Sequence, residues 1–209
     1  LNLNWDRFSY HCDTWQRVGV TGAPIMDTDW TGPAPPGAET VAAATRRGCD
    51  LNPIDIRHPA SRLRLMAYIW PDQADRLDRA RRAIDLALSE NIAVDRASAD
   101  AWLRKALSGQ LPEGTTVVYH SIAWQYFDAD TVAAAEAAIE AAGARADDRR
   151  RLAWLRFEHD TTFGGEGDGY RVDMITWPDR SWQHLADVDP HARWVINKTA
   201  PGVPGRARP

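Results

Sequence analysis

The chain has 209 residues, of which 44% are hydrophobic and 26% charged, and its formal net charge is −4. This composition is typical of a folded globular protein, and the length suits one α/β domain better than two. The charge balance gives no strong nucleic-acid signal, because binding to phosphates needs clustered Lys and Arg. No stretch approaches the roughly 20 apolar residues that span a bilayer, so we expect no membrane segment.

Two cysteines, Cys12 and Cys49, are too few to act as a disulfide framework in a chain of this size. We therefore expect a reducing compartment and a cytoplasmic protein, with a single disulfide as the alternative. The chain starts at Leu1 rather than Met, which favours a piece of a longer protein. Residues 5–40 are rich in Gly and Pro and contain Trp15 and Trp30, so we predict a structured loop or small hairpin that covers the core.

Apolar spacing and turn residues predict alternating helices and strands after this segment. The predicted helices cover residues 63–70, 71–88, 98–108 and 128–142. The predicted strands are one that ends near Asp50 and those at 115–120, 152–158, 170–177 and 191–196. This order favours an α/β fold with a mostly parallel sheet and an antiparallel pair at one edge. We predict a single domain over residues 1–197 and a flexible tail over 198–209.

Polar side chains follow several predicted strands, where ligands bind in open α/β sheets. Asp50 offers two carboxylate oxygens to ribose hydroxyls, although the same residue before Asn52-Pro53 also fits a simple turn cap. A second group follows the strand at 115–120. The candidate ligand residues at these two places are Asp50, Asn52, His120, Ser121, Trp124 and Gln125.

Two other kinds of site are excluded by spacing. His120 and Ser121 are adjacent on a strand and point to opposite faces, so they do not form a hydrolase triad. We expect the group around them instead to stack on and hydrogen-bond a flat ligand, with a purely structural role as the alternative. His11, Cys12 and Cys49 are metal-ligand types, but their spacing matches no zinc pattern, so we predict no metal site.

Several short segments resemble one bacterial family. The motifs GCDLNP, YIWPDQ and HSIAWQY are the most specific of these segments. The matching segments are residues 1–7, 46–56, 62–77, 117–127, 152–158 and 189–195. Together they resemble the prokaryotic domain of unknown function 2332, over nearly the whole chain.

The resemblance to this family implies a missing N-terminal segment, two cofactor contacts and a fold. In that family a Glu-x-Gly-x-Ser-x-Gly segment precedes Leu-Asn-Leu, so this chain would start directly after a glycine turn and lack its first strand. Asn2 and Asn4 would follow that turn and contact a cofactor. The order of elements is similar to the Rossmann-like fold of S-adenosylmethionine-dependent methyltransferases.

Two functions are therefore weighed. The first is a methyltransferase-like protein that binds S-adenosylmethionine, or a related small nucleoside, and acts on an unknown acceptor, with Trp124 facing the ligand. The second is a non-catalytic binding or scaffold module that uses aromatic surface for a protein partner. Exposed strand edges would also lead to self-association or to retention of an N-terminal fragment.

Overall fold

The computed structural model describes residues 1–38, 40–90 and 92–199 of the chain. These residues form two compact units, where the sequence predicts one domain. The first contains residues 1–28 and 34–97, and the second contains residues 29–33 and those from 98 onward. Most of the predicted tail at 198–209 lies outside the described residues. None of the described helices has the length and apolar character needed to cross a bilayer.

The first unit combines short strands with two helices. After a 3₁₀ segment at Asn2–Arg7, its strands are β1 (Ser9–Cys12), β2 (Gln16–Arg17), the beginning of β3 (Ile25–Thr31), β4 (Cys49–Asp50) and β5 (Asp95–Arg96). Its helices are α1 (Pro59–Met66) and α2 (Ala74–Ser89). β1 pairs antiparallel with β2 and parallel with β3, and β4 pairs parallel with β5. The Gly- and Pro-rich segment thus contains three strands, more than the predicted loop or hairpin.

Helix α2 supplies the main apolar face of the first unit. Its residues Ala83 and Leu86 are buried and pack with Phe8, while Tyr10 and Met26 cover the group from the side. These helical positions are three residues apart, which is the spacing that the sequence indicates. Helix α1 begins at Pro59 and ends at Met66, so it lies nearer the N-terminus than the predicted helix that ends at residue 70, and it contributes no buried residue.

The second unit holds the longer elements. Its helices are α3 (Ala99–Ala106) and α4 (Ala129–Gly143), and its strands are β6 (Gly114–Ser121), β7 (Arg150–His159), β8 (Tyr170–Trp177), β9 (Ser181–Val188) and β10 (Trp194–Asn197). The predicted cap of α4 is confirmed, since the carboxylate of Asp128 accepts a hydrogen bond from the backbone N–H of Thr131. The helices and strands predicted here all exist, and β9 is an addition.

The sheet of this unit is mixed rather than mostly parallel. Its order is β6, β7, β8, β9, β10 and the last three residues of β3. β6 and β7 are parallel, with α4 as the crossover, whereas β7, β8, β9 and β10 run antiparallel in turn. The hairpin of β8 and β9 is central instead of lying at an edge. The difference arises at β9, which needs only the short turn 178–180 because antiparallel neighbours require no crossover.

The core of the second unit lies between α4 and one face of the sheet. Ile139 on α4 and Leu152 on β7 are fully buried, and both belong to one apolar cluster with Trp154, Ile175 and Trp177. Strand β6 is not the buried strand that its composition predicts. Its alternate residues are exposed, because only one face of the strand, which carries Val118, packs on the core. Among the described residues β6 also pairs along one edge only.

Candidate functional site

A row of polar residues crosses the buried face of the second unit's sheet. His120 lies opposite Arg156, Arg156 lies opposite Asp173, and Asp173 lies opposite His184, so the row follows the register of β6, β7, β8 and β9. Arg156 and Asp173 are buried, at 8% and 3% exposure. Buried charges are rare in a sheet face unless they are paired or functional, so this polar row is the first candidate site.

His120 is held by a carboxylate that comes from the next strand. Its Nδ1 lies 2.6 Å from Oε1 of Glu158, and the two side chains are 9% and 1% exposed. The same oxygen accepts hydrogen bonds from the backbone N–H groups of Ala123, at 3.0 Å, and Trp124, at 3.1 Å. Glu158 therefore orients the imidazole and also fixes the loop that follows β6.

Burial and hydrogen bonding change the pKa of both members of this pair. Burial lowers the pKa of His120 below its ordinary value of 6.5, although the bond to Glu158 opposes that change. Burial raises the pKa of Glu158, but its hydrogen bonds from His120 and from two amides outweigh burial and leave the pKa lowered. The imidazole is thus neutral beside an ionised carboxylate. With Nδ1–H donating to that carboxylate, Nε2 carries the lone pair.

Aromatic rings enclose this imidazole. Trp124 stacks on it with ring centroids 4.2 Å apart, Trp154 lies at 6.0 Å and Phe163 at 6.2 Å. The guanidinium of Arg156 lies 4.0 Å from the centre of the Phe163 ring and 5.0 Å from that of Trp154. We call Trp124, Trp154 and Phe163 the aromatic cluster. It makes the surroundings of His120 apolar, which is why burial dominates the imidazole's pKa.

Four polar atoms of this site lack a hydrogen-bond partner within the described residues. They are Nε2 of His120, Oε2 of Glu158, and the indole Nε1 atoms of Trp124 and Trp154. A buried polar group without a partner costs about 1–3 kcal/mol. Because four such atoms lie in one place, we infer that they are candidates for hydrogen bonds to a bound molecule.

The charged groups on β8 are linked through Asp160 to a glycine-rich loop. Arg171 donates to Asp173 through Nε at 3.0 Å and forms an ion pair with Asp160, and His184 lies 3.0 Å from Asp173. The loop 164–169 returns to Asp160, whose carboxylate accepts the backbone N–H of Gly167 at 2.6 Å. Arg171 and that amide hold the pKa of Asp160 below its ordinary value. The loop is thereby attached to the end of the polar row.

The structure brings together only part of the predicted ligand group in this unit. His120 and Trp124 are in contact, whereas Ser121 and Gln125 are exposed and take no part in the cluster. Trp124, the tryptophan expected to face a ligand, is 4% exposed and packs into the core. His120 and Ser121 do point to opposite faces, as a strand requires.

The other four predicted residues lie in the first unit. Asp50 is exposed, and its Oδ1 accepts the N–H of Asn52 at 2.7 Å, which is the turn-capping arrangement that the sequence left open. Asn52 accepts from Arg96 at 3.2 Å. Asn2 is exposed, while Asn4 is 1% exposed and its Oδ1 has no partner within the described ranges. Neither unit contains all eight predicted residues.

Sequence reasoning placed Glu158 at a strand end but missed its pairing with His120, and it missed Arg156. The signal is the two-residue period of β7, in which Arg156 and Glu158 are in phase with the buried Leu152 and Trp154. Two charged residues in phase with a core face indicate partners on neighbouring strands. Finding His120 as that partner requires the parallel register of β6 and β7.

The cysteine residues do not offer reactive thiolates. Burial, together with the nearby charges of Asp13 and Asp27, raises the pKa of the Cys12 thiol to about 11; burial also raises the pKa of Cys49. Both are free thiols. In the described part of the chain, no group of three or more His, Cys, Asp or Glu side chains is arranged to hold a metal ion.

Comparison with known proteins gives one match. The family described as "Uncharacterized protein conserved in bacteria (DUF2332)" matches residues 1–196. No curated protein and no solved structure matches the chain.

Proposed function

The chain belongs to this bacterial family, and we propose that it is a methyltransferase-like protein that binds S-adenosylmethionine and acts on an unknown acceptor. The observation that carries the proposal is the unit β6–α4–β7. Its parallel strands end side by side, and their ends join His120 to Glu158 within one buried group. Ligands of open α/β sheets bind at the carboxyl ends of parallel strands.

The residues expected to hold the cofactor have suitable chemistry. Asp50 uses one carboxylate oxygen in its turn and is exposed, so the other oxygen is free to accept ribose hydroxyls. Asn4 has a buried amide oxygen with no partner within the described residues. S-adenosylmethionine would supply a methyl group that its sulfonium already activates. The chain's own task is then to bind, orient and exclude water.

Calorimetric titration of the protein with S-adenosylmethionine tests the proposal. We expect measurable heat, a raised melting temperature, and at least about tenfold weaker binding for Asp50→Ala, which corresponds to about 1.4 kcal/mol. Asp55→Ala is the matched control, because Asp55 also caps an exposed turn, with Arg57 as its partner. No heat and no thermal shift at millimolar ligand would contradict the proposal.

One observation favours the second candidate, a non-catalytic partner-binding module. Leu63, Tyr68 and Trp70, on α1 and the turn after it, are 72%, 62% and 72% exposed. Tyr and Trp are enriched at protein interfaces, where they supply the anchoring contacts. By contrast Trp177, whose burial counts against this candidate, is 4% exposed, and Trp15 and Trp30 are half-buried.

Iodide quenching of tryptophan fluorescence tests the accessibility on which this candidate depends. We expect a quenchable fraction that Trp70→Phe reduces, with a remainder from Trp194, which is 41% exposed, whereas Trp177 stays protected. If Trp70→Phe leaves the quenchable fraction unchanged, the surface is not open in solution and the second candidate fails.

We also propose that the free edge of β6 pairs with a second copy of the chain. The strand GTTVVYHS has no charge and no proline, the features that usually block edge pairing. Antiparallel pairing centred on Val118 would set Val117 opposite Tyr119 of the second copy, and both are exposed, at 51% and 36%. Light scattering after size-exclusion chromatography should show dimers that Val117→Lys removes. Val18→Lys, at an 83% exposed position, is the control.

A further inference from the structure

The ring of Phe163 fills a flat space beside His120. Its centroid lies 6.2 Å from the imidazole, 6.1 Å from Trp124 and 6.0 Å from Trp154, which it meets edge to face. On one side the guanidinium of Arg156 lies 4.0 Å from its centre. This space therefore has aromatic walls, a cation over the ring plane, and a basic nitrogen nearby.

The cation fits an electron-rich ring better than it fits Phe163. A guanidinium over a ring is attracted by the negative face of the π system, and the attraction grows when the site excludes water. Arg156 is 8% exposed, so water is largely excluded. A ring that carries negative charge, such as a phenolate, would gain a direct electrostatic attraction in addition.

The buried polar atoms without partners favour a ligand that carries a hydroxyl group. Nε2 of His120 accepts a proton, while the indole N–H groups of Trp124 and Trp154 donate. A hydroxyl group can satisfy both kinds of atom, because it donates one hydrogen bond and accepts two. A purely apolar occupant such as the Phe163 ring satisfies neither.

Phe163 packs on the edge of the core from a short segment that lies outside the main helices and strands. It ends the short 3₁₀ segment Asp160–Phe163, and Gly164 follows at φ 77°, in the left-handed region that favours glycine. The loop 164–169 beyond it contains four glycines and is held through Asp160 and Gly167. Rotation at this hinge would withdraw the ring while α4 and β7 keep their packing.

We propose that Phe163 is a removable cover that occupies the place of an aromatic substrate ring, and that His120, oriented by Glu158, takes the proton of a phenol-type hydroxyl there. This rests on the proposed function, since it names the class of ligand that the His120 site would bind. Glu158 is the positioning residue, and His120 is the group that meets the substrate.

The proton transfer balances without any further reactant. The O–H bond of the phenol breaks, its electron pair stays on oxygen, and its proton goes to Nε2 of His120. The imidazolium that forms is stabilised by Glu158 through Nδ1–H, and the phenolate lies under Arg156. The product is a nucleophilic oxygen in a site that excludes water.

Fluorine NMR with para-fluorophenol as the probe tests this proposal. Phe163→Ala removes the cover, so we expect the probe to bind at least about tenfold more tightly than to the unmodified protein. Any cavity of this size attracts benzene-like molecules, so fluorobenzene is the control ligand. It should bind Phe163→Ala about tenfold more weakly than the phenol, because it cannot donate to Nε2.

Phe127→Ala is the matched control variant. Phe127 packs on Trp124 at 5.4 Å and is half-buried. A cavity there should not distinguish the phenol from fluorobenzene. Adding His120→Gln to Phe163→Ala should abolish the preference for the phenol, and Glu158→Gln should raise the pH at which the bound probe ionises. Equal binding of phenol and fluorobenzene by Phe163→Ala would overturn the proposal.

A second measurement uses the unmodified protein and needs no variant to fold. Nitrogen NMR of the His120 ring should show the neutral form with its proton on Nδ1 at pH 7. A proton on Nε2 instead would overturn the proposal. Failure of the proposed function is distinct from both results, since it is the absence of S-adenosylmethionine binding in calorimetry, which none of these phenol measurements reports.

Discussion

The two units are stabilised in different ways. In the second unit, strands of eight to ten residues and α4 enclose one apolar cluster around Ile139, Leu152 and Trp154. In the first unit most strands have two to four residues and the apolar group around Phe8 is small. This unit also contains a buried ionic group, in which Asp6 accepts two hydrogen bonds from Arg46 and one from the amide of Ala43. A unit with little apolar core depends more on individual polar contacts.

The largest effect should follow from breaking that ionic group. Asp6 is 4% exposed, and its removal leaves the partly buried Arg46 without its carboxylate, so Asp6→Ala should cost about 3–5 kcal/mol. Hydrogen exchange should increase in β1 and in the loop around residue 43. Asp27→Ala, at an exposed position, is the control and should change stability by less than about 0.5 kcal/mol. Equal effects of the two variants would show that the ionic group is not what stabilises the unit.

The second-largest loss of stability is expected when a core side chain of the second unit is truncated. Ile139 is fully buried in α4, so Ile139→Ala should lower the free energy of unfolding by about 2–5 kcal/mol and increase exchange in β7 and β8. Val132→Ala, on the half-buried side of the same helix, should cost clearly less. Denaturant titration measures both. If Ile84→Ala in the first unit costs as much as Ile139→Ala, the contrast between the units is wrong.

A smaller effect is expected in the glycine-rich loop. A Cβ at Gly165 would meet the carboxylate of Asp160, whereas a Cβ at Gly169 meets nothing within 4 Å. Gly165→Ala should therefore cost about 1–3 kcal/mol, and Gly169→Ala less than about 0.5 kcal/mol. Thermal melts compare the two variants. A larger loss for Gly169→Ala would mean that Asp160 does not hold the loop.

The smallest effect concerns pH. The pKa of His120 is lowered by burial from 6.5, so the unfolded chain takes up a proton near pH 6.5 while the folded chain does not. Stability should therefore fall as the pH drops through 6.5, until the lower folded pKa is reached, by at most about 1.4 kcal/mol per pH unit. Urea titrations between pH 7.5 and about 5 should show this slope, and His120→Gln should lack it. An identical slope in the variant would place the effect elsewhere.

Most elements with strong local signals were predictable. Helix α4 has its cap at Asp128 and ends at Gly143, and β7 and β8 follow from β-branched or alternating residues with turns between them. β9 was missed because its half-buried residues mix Trp182 with the polar His184 and Asp187, so its two-residue period is weak. The antiparallel order of the sheet depends on β9, and so the mostly parallel sheet was wrong in detail.

The candidate site was predictable only as separate pieces. His120 was found because it ends a strand, but its bond to Glu158 joins residues 38 positions apart and depends on strand register. Trp124 was expected to face a ligand because it follows a strand end, whereas the short 3₁₀ turn at Trp124–Tyr126 directs it into the core. Such outcomes are decided by tertiary packing, which local patterns do not contain.

One oxygen atom, Oε1 of Glu158, accepts hydrogen bonds from the imidazole of His120 and from the backbone amides of Ala123 and Trp124. A substitution at this position would therefore alter the basicity of the site and the course of the chain after β6 in a single step. Conversely, an engineer who wants to reshape the loop cannot do so independently of the proton chemistry. Because they share this acceptor, residues 120–124 and Glu158 would have to be transferred together to another protein.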